Sequence, residues 1–215
     1  MLHGINHEIS GYLTLSYSYK DYFTLNANGR FDASNKFGSR SNEKFLPIWS
    51  VSGMWNLKET FMKHADFISN MRLRTSYGIQ GNMLEDQSPN LILRQGTINP
   101  MYNENISTVA RYPNPNLKWE TNLNFNVGID FSLFNNRFSG SFDFFTRRSK
   151  DLLYSRPIAP SLGYGSIDEN VGALKNTGIE MVLNGTIINQ NGWVWKLGMN
   201  LTHYKNKVTD LPLKD

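Results

Sequence analysis

Apolar and polar residues alternate along most of the chain. Over "NVGIDFSLFNNRFSGSFDFF" (126–145) two alternating arms flank a short polar break at Asn135 and Asn136. Phe125, Val127, Ile129, Phe131 and Leu133 share one parity, and Asn124, Asn126, Gly128, Asp130 and Ser132 share the other. On the return arm Phe138, Gly140, Phe142 and Phe144 oppose Ser139, Ser141 and Asp143. Successive strand side chains point to opposite sides, so each arm has one apolar face and one wet face. Trp193, Trp195, Leu197, Met199 and Leu201 alternate with Lys196, Asn200 and Thr202 in the same way. So do Met71, Leu73 and Tyr77 with Arg72, Arg74 and Ser76. This period predicts eight strands, at about 9–19, 22–33, 46–56, 70–80, 119–133, 137–154, 177–188 and 193–206.

The connections sharpen the picture. "YKDY" (19–22), "FNNR" (134–137) and "NQNG" (189–192) read as tight hairpin turns. Long loops are expected at about 34–45, 81–118 and 155–176. A medium connection, 57–69, has room for one or two helical turns with Phe61, Ala65 and Ile68 on one side. Short and long connections alternate, so the short ones fall at one end of the sheet and the long ones at the other. Outer-membrane barrels have that asymmetry, with short periplasmic turns and long extracellular loops. The strands are also long, about 11 residues or more for most, near the roughly 9–11 that a tilted membrane strand needs. A water-filled interior would take the small polar face and hydrocarbon the other. A soluble β-sandwich also alternates, and a complete eight-stranded barrel fits the strand count; both stay open on pattern alone.

Composition narrows the chemistry. The chain has 215 residues with 40% hydrophobic and 13% aromatic content, enough to order. Cysteine is absent, which excludes disulfides, Cys-based zinc sites and a Cys nucleophile. The net charge of +4 is scattered, with no basic run or motif for nucleic acid. The opening "MLHGINHEIS" is not a signal peptide. The expectation is therefore a cytosolic protein or an internal piece of a longer secreted chain.

Several segments resemble the SusC/RagA group of TonB-dependent outer-membrane transporters. They are "NGRFDASNKFG" (28–38), with its Arg-x-Asp pair, and "MRLRTSYGIQGN" (71–82). Next come "NPNLKWETNLNFNVGIDFSLFNNRFSGSFDFFTRRSKDLL" (114–153), "NVGALKNTGIEMVLN" (170–184) and "WKLGMNLTHYKNKVTDL" (195–211). Phe145 stands where that family often has tyrosine, and Ser149 where it often has threonine. The resemblance implies an all-β fold: an antiparallel transmembrane β-barrel fragment, about eight strands of a larger, 22-stranded barrel. It makes residues 1–215 one part of that barrel domain, with plug and terminal strands absent. It implies the bacterial cell outer membrane and uptake of oligosaccharides or peptides with TonB-derived energy. The implied partners are a SusD-like surface lipoprotein, the TonB complex (reached through missing regions) and the lipid bilayer. No cofactor and no nucleic acid are implied. Open edges argue the same way, because unpaired backbone groups in lipid cost several kcal/mol each. The alternative function is a soluble carbohydrate-binding β-sandwich.

Candidate sites are few. His3 and His7 have an i,i+4 spacing but lack a zincin-type carboxylate, and an exposed terminus accounts for them better than a metal. "GYGS" (163–166) lacks the further glycine and helix of a phosphate loop. Asp130 and Asp143 lie on the wet faces of one hairpin and read as lumen lining. Arg72, Arg74, Arg147 and Lys196 read as a mixed-charge solvated wall. Arg148 has the opposite parity and is expected near a strand end, outside hydrocarbon. Trp49, Trp55, Trp193 and Trp195 suit interfacial girdles. Tyr102, Tyr112 and Tyr164 suit loops, where they can stack on sugar rings. "YPNPN" (112–116) reads as a stiff loop-to-strand entry. No catalytic or metal residue is expected, and no substrate-binding residue is singled out.

Overall fold

A computed structural model describes residues 7–34, 45–82, 89–159, 161 and 165–211. Among these residues ten strands and one short helix follow in chain order: β1 (Glu8–Tyr19), β2 (Phe23–Ser34), β3 (Phe45–Asn56), α1 (Leu57–Phe61), β4 (Ile68–Asn82), β5 (Ile92–Asn99), β6 (Glu104–Arg111), β7 (Glu120–Leu133), β8 (Phe138–Pro157), β9 (Ser166–Gln190) and β10 (Trp193–Asp210). Eight form a single sheet in the order β1-β2-β3-β4-β7-β8-β9-β10, and β5 and β6 form a separate hairpin. Every pairing is antiparallel.

Among the described residues no second sheet packs face to face on the first. Ile68 and Leu117 are the buried hydrophobic side chains among the described residues, and none is fully buried. The accessible surface is 15661 Å², against roughly 10,000 Å² for a compact monomer of this mass. A sandwich would bury one apolar face of each sheet, so the soluble β-sandwich is overturned. A complete small barrel would pair β1 with β10. These two strands are the outer members of the sheet instead.

The two faces follow the parity read from sequence. One register row runs Tyr19, Phe23, Trp55, Leu73, Ile129, Phe142, Met181 and Leu201 across all eight strands. It starts beside the turn of β1 and ends in the middle of β10. The sheet is therefore staggered, as strands must be to tilt and curl into a barrel wall. On this face Trp49 lies 5.6 Å from Tyr77, and Tyr77 lies 6.4 Å from Phe125, ring to ring.

The turn end is tightly built. Asn191 and Gly192 both have positive φ, 53° and 80°, as a two-residue hairpin turn of matching twist requires. The expected turn at 189–192 thus narrows to its second half. Phe134, Asn135 and Asn136 take φ of 52°, 53° and 65° between β7 and β8. The medium connection holds α1, between one and two turns long as expected; Phe61 is in it, but Ala65 follows it and Ile68 opens β4. Asn56 caps the helix by accepting from the Glu59 N–H. Lys58 Nζ donates to the carbonyls of Met62 (3.0 Å) and Ala65 (2.9 Å), which closes the turn.

The loop end departs most from expectation. The 81–118 stretch holds the β5–β6 hairpin, and β8 and β9 extend to Pro157 and back to Ser166 across most of the expected 155–176 loop. Alternation fades there while the backbone ladder continues. The expected loop at 34–45 falls almost wholly outside the described residues.

Candidate functional site

The wet face carries the chemistry. Register sets Arg74 of β4 opposite Gly128 of β7, and Gly128 opposite Asp143 of β8. Arg74 then reaches across three strands. Its Nε and Nη2 donate to Asp130 Oδ2 and Oδ1 at 2.7 and 2.8 Å, and Nη2 also donates to Asp143 Oδ1 at 3.0 Å. Gly128 makes this possible: a Cβ there would strike the Asp143 carboxylate and sit 3.2 Å from Arg74 Nη2. The two aspartates share the face expected of them, but the guanidinium between them rules out a free carboxylate pair for acid–base work. Arg72 lies on the same face in register with Asp130, and Glu180 lies beside Asp143.

Toward the loop end the wall becomes amide and hydroxyl. Arg147 Nε donates to Asn124 Oδ1 at 2.8 Å, and Ser149 donates to Asn122. Ser50, Ser52, Ser76, Asn126 and Glu180 line the same recess. Phe145 is an aromatic exception on this face; its ring covers Gly178, where a Cβ would meet it at 2.6 Å. Arg30 donates to Asp32 at 2.8 Å, so the Arg-x-Asp pair is a same-face ion pair on β2. Lys196 also lies on the wet face, opposite Thr186.

A second cluster pins the loop end. Asn170 of β9 accepts from the Lys118 N–H (3.1 Å) and donates to the carbonyls of Lys118 (3.0 Å) and Asp151 (2.8 Å). Lys118 Nζ pairs with Asp151 at 2.6 Å, and Asn114 donates to the Asp168 carbonyl at 2.8 Å. The Asn-Pro-Asn entry is thereby held against β8 and β9, with Leu117 buried beneath it. At the loop-end tip of β8, Arg156 grips Glu169 at 2.8 and 3.1 Å; that hydrogen bond, then the carboxylate's charge, raises the guanidinium pKa. A cleft lies between Arg111, Tyr112 and Asn114 on one side and Ser155, Ile167 and Asp168 on the other.

Aromatic side chains band the apolar face. Trp55 packs on Phe61 (5.3 Å) and Phe67 on Phe134 (6.3 Å) at the turn end, where Trp193 and Trp195 also lie. Lys63 donates to Tyr22 Oη at 3.1 Å, and this bond raises the lysine's pKa. Trp49 lies nearer the loop end of β3, edge-on to Tyr77. Arg148 is on the apolar-face parity as expected, but inside β8 rather than at its end, because β8 continues to Pro157. Tyr102 is exposed at the β5–β6 tip. His7 precedes β1; His3, Gly163 and Tyr164 lie outside the described residues. Among the described residues no group of three or more His, Cys, Asp or Glu side chains could hold a metal.

A single staggered sheet, hydrocarbon-ready on one side and hydrogen-bonded on the other, defines a transmembrane barrel wall. The family model for the β-barrel of TonB dependent receptor-like proteins matches residues 3–214, and the chain belongs to that family. It is 32% identical over 200 residues to TonB-dependent receptor P26 of Formosa agariphila, covering 92% of this chain and 20% of that protein. It is 29% identical over 220 residues to TonB-dependent receptor SusC of Bacteroides thetaiotaomicron, covering 94% and 21%. The RagAB peptide importer in its closed-closed state superposes with a TM-score of 0.86 at 28% identity, covering 95% of this chain and 22% of that one. The chain thus spans about a fifth of the length of these relatives. The expected SusC/RagA-like barrel fragment and its outer-membrane location stand.

Proposed function

We propose that this wall belongs to an active importer that moves oligosaccharides or peptides across the outer membrane with TonB-derived energy. The observation that carries the reading is the two-faced open sheet. Its outer strands leave backbone groups unpaired, which lipid penalises by several kcal/mol each, so it is one part of a larger closed barrel, with a plug supplied from elsewhere in the protein. The likeness to SusC and RagAB supports the transport class and a SusD-like surface lipoprotein as lid. No covalent chemistry is assigned to the chain; its wet face lines a passage. The β5–β6 hairpin stands at the loop end and exposes Leu93, Ile98, Met101, Tyr102 and Ile106. An isolated two-stranded hairpin is marginally stable in water, and contact with the lid would cover it. Tyr102 and the Tyr112 cleft suit sugar rings or peptide side chains.

Uptake of fluorescent oligosaccharides and peptides in cells with and without the full-length gene tests this. Loss of uptake of one class on deletion, and equally on TonB depletion, supports it. Unchanged uptake of every compound, with the protein recovered in the soluble fraction, contradicts it.

A further inference from the structure

On the apolar face of β8, β9 and β10 the greasy rows stop abruptly. Phe142, Met181 and Leu201 form one register row. Two rows nearer the loop end stand Thr146, Thr177 and Lys205, with the two threonine hydroxyls 3.3 Å apart. Directly above them Arg148 pairs with Lys175, and Lys175 with Lys207. Lys150 continues the same parity on β8. Like charges set directly opposite destabilise a sheet, yet three cations are paired here in succession. Among the described residues none of Arg148, Lys150, Lys175, Lys205 or Lys207 forms an ion pair. Asp210 falls at the upper edge, paired with Ala173. Along the same register row, the positions of β7, β4, β3 and β2 are Leu123, Ile79, Trp49 and Gly29. The cations are therefore local to three strands and not a general rim.

We propose that Arg148, Lys175 and Lys207, with the hydroxyls of Thr146 and Thr177, bind the phosphate of a phosphorylated outer-leaflet lipid whose acyl chains lie on the apolar rows below. The position selects the occupant. The patch caps a hydrocarbon-facing surface, so its ligand carries an anionic head directly above long apolar chains. Arginine and lysine provide charge-assisted donors for phosphate oxygens, and basic pockets at the membrane surface bind phosphorylated headgroups in this way. An anion between Arg148 and Lys175 also removes the repulsion that the register imposes.

The test is native mass spectrometry of the full-length transporter, delipidated in detergent and titrated with monophosphorylated lipid A or its dephosphorylated counterpart. The expected result is preferential capture of the phosphorylated form. In R148Q/K175Q/K207Q that preference falls by about fivefold for each cation removed. Lys175→Arg keeps it, and so does K20Q/K63Q at the turn end. Folding of each variant is read from heat-modifiable migration; if the triple variant fails to fold, the three single variants are compared. Equal capture of both lipids, an unchanged preference in the folded variants, or displacement by equimolar inorganic phosphate would overturn the proposal. It rests on the apolar face meeting lipid. Dephosphorylated lipid A reports that contact separately, so a missing phosphate preference leaves the membrane reading intact.

Discussion

Gly128 stands where a larger residue would part Arg74 from Asp143. Gly128→Ala is expected to break that ion pair and leave the Arg74–Asp130 bidentate pair, at a cost on the order of 1 kcal/mol for partly solvated charges. Urea unfolding of the full-length protein in vesicles checks it through a double-mutant cycle. In an Asp143→Ala background the glycine substitution should cost little, and full additivity would contradict the account. On the opposite face Ile129→Arg should cost about 2–4 kcal/mol in the same assay if its side chain meets mid-bilayer lipid. Local alternation placed Asp130 and Asp143 on the wet face. It did not place Arg74 between them, because parity leaves register open, and β4 meets β7 only after the whole 83–119 connection.

Strands were legible where lipid enforces a two-residue period and illegible where water meets both faces. β7 and the lower part of β8 stand as read. The upper part of β9, "SIDENVGALKN", reads as loop because Glu169 and Lys175 interrupt the parity of Ile167, Val171 and Ala173, and Leu174 falls on the other. Its partner is the end of β8, with register shifts between Ser149 and Leu153 around the positive φ of Asp151 (58°). The Asn170 cluster that repairs this irregularity draws on residues 114–118, some 52 positions away for Lys118, and no local signal links them. Asn170→Ala leaves the Lys118 N–H and the Lys118 and Asp151 carbonyls without those partners, a local cost of about 1–3 kcal/mol. Hydrogen exchange should show the Lys118 amide opening at least about tenfold faster, with Val127 and Ile129 unchanged. Unchanged protection at Lys118, or an equal loss throughout β7, would argue against a local pin.

Stagger, open edges and surface excess belong to the assembled sheet. A row that begins at Tyr19 beside a turn and ends at Leu201 in mid-strand shows the wall tilting as it proceeds. Pattern alone leaves a sandwich and a small closed barrel standing; the exposed apolar face removes the first and pairing order the second, and both are properties of the whole sheet. The central claim is that hydrocarbon meets the odd-numbered side chains of β7 and water meets the even-numbered ones. The most direct measurement places single cysteines at Val127, Gly128, Ile129, Asp130 and Phe131 in an otherwise cysteine-free full-length protein, labels each with a fluorophore, and compares quenching by a lipid-borne and a water-borne agent. The account predicts lipid-phase quenching at 127, 129 and 131 and aqueous quenching at 128 and 130. Equal quenching at all five, or the opposite alternation, would contradict it.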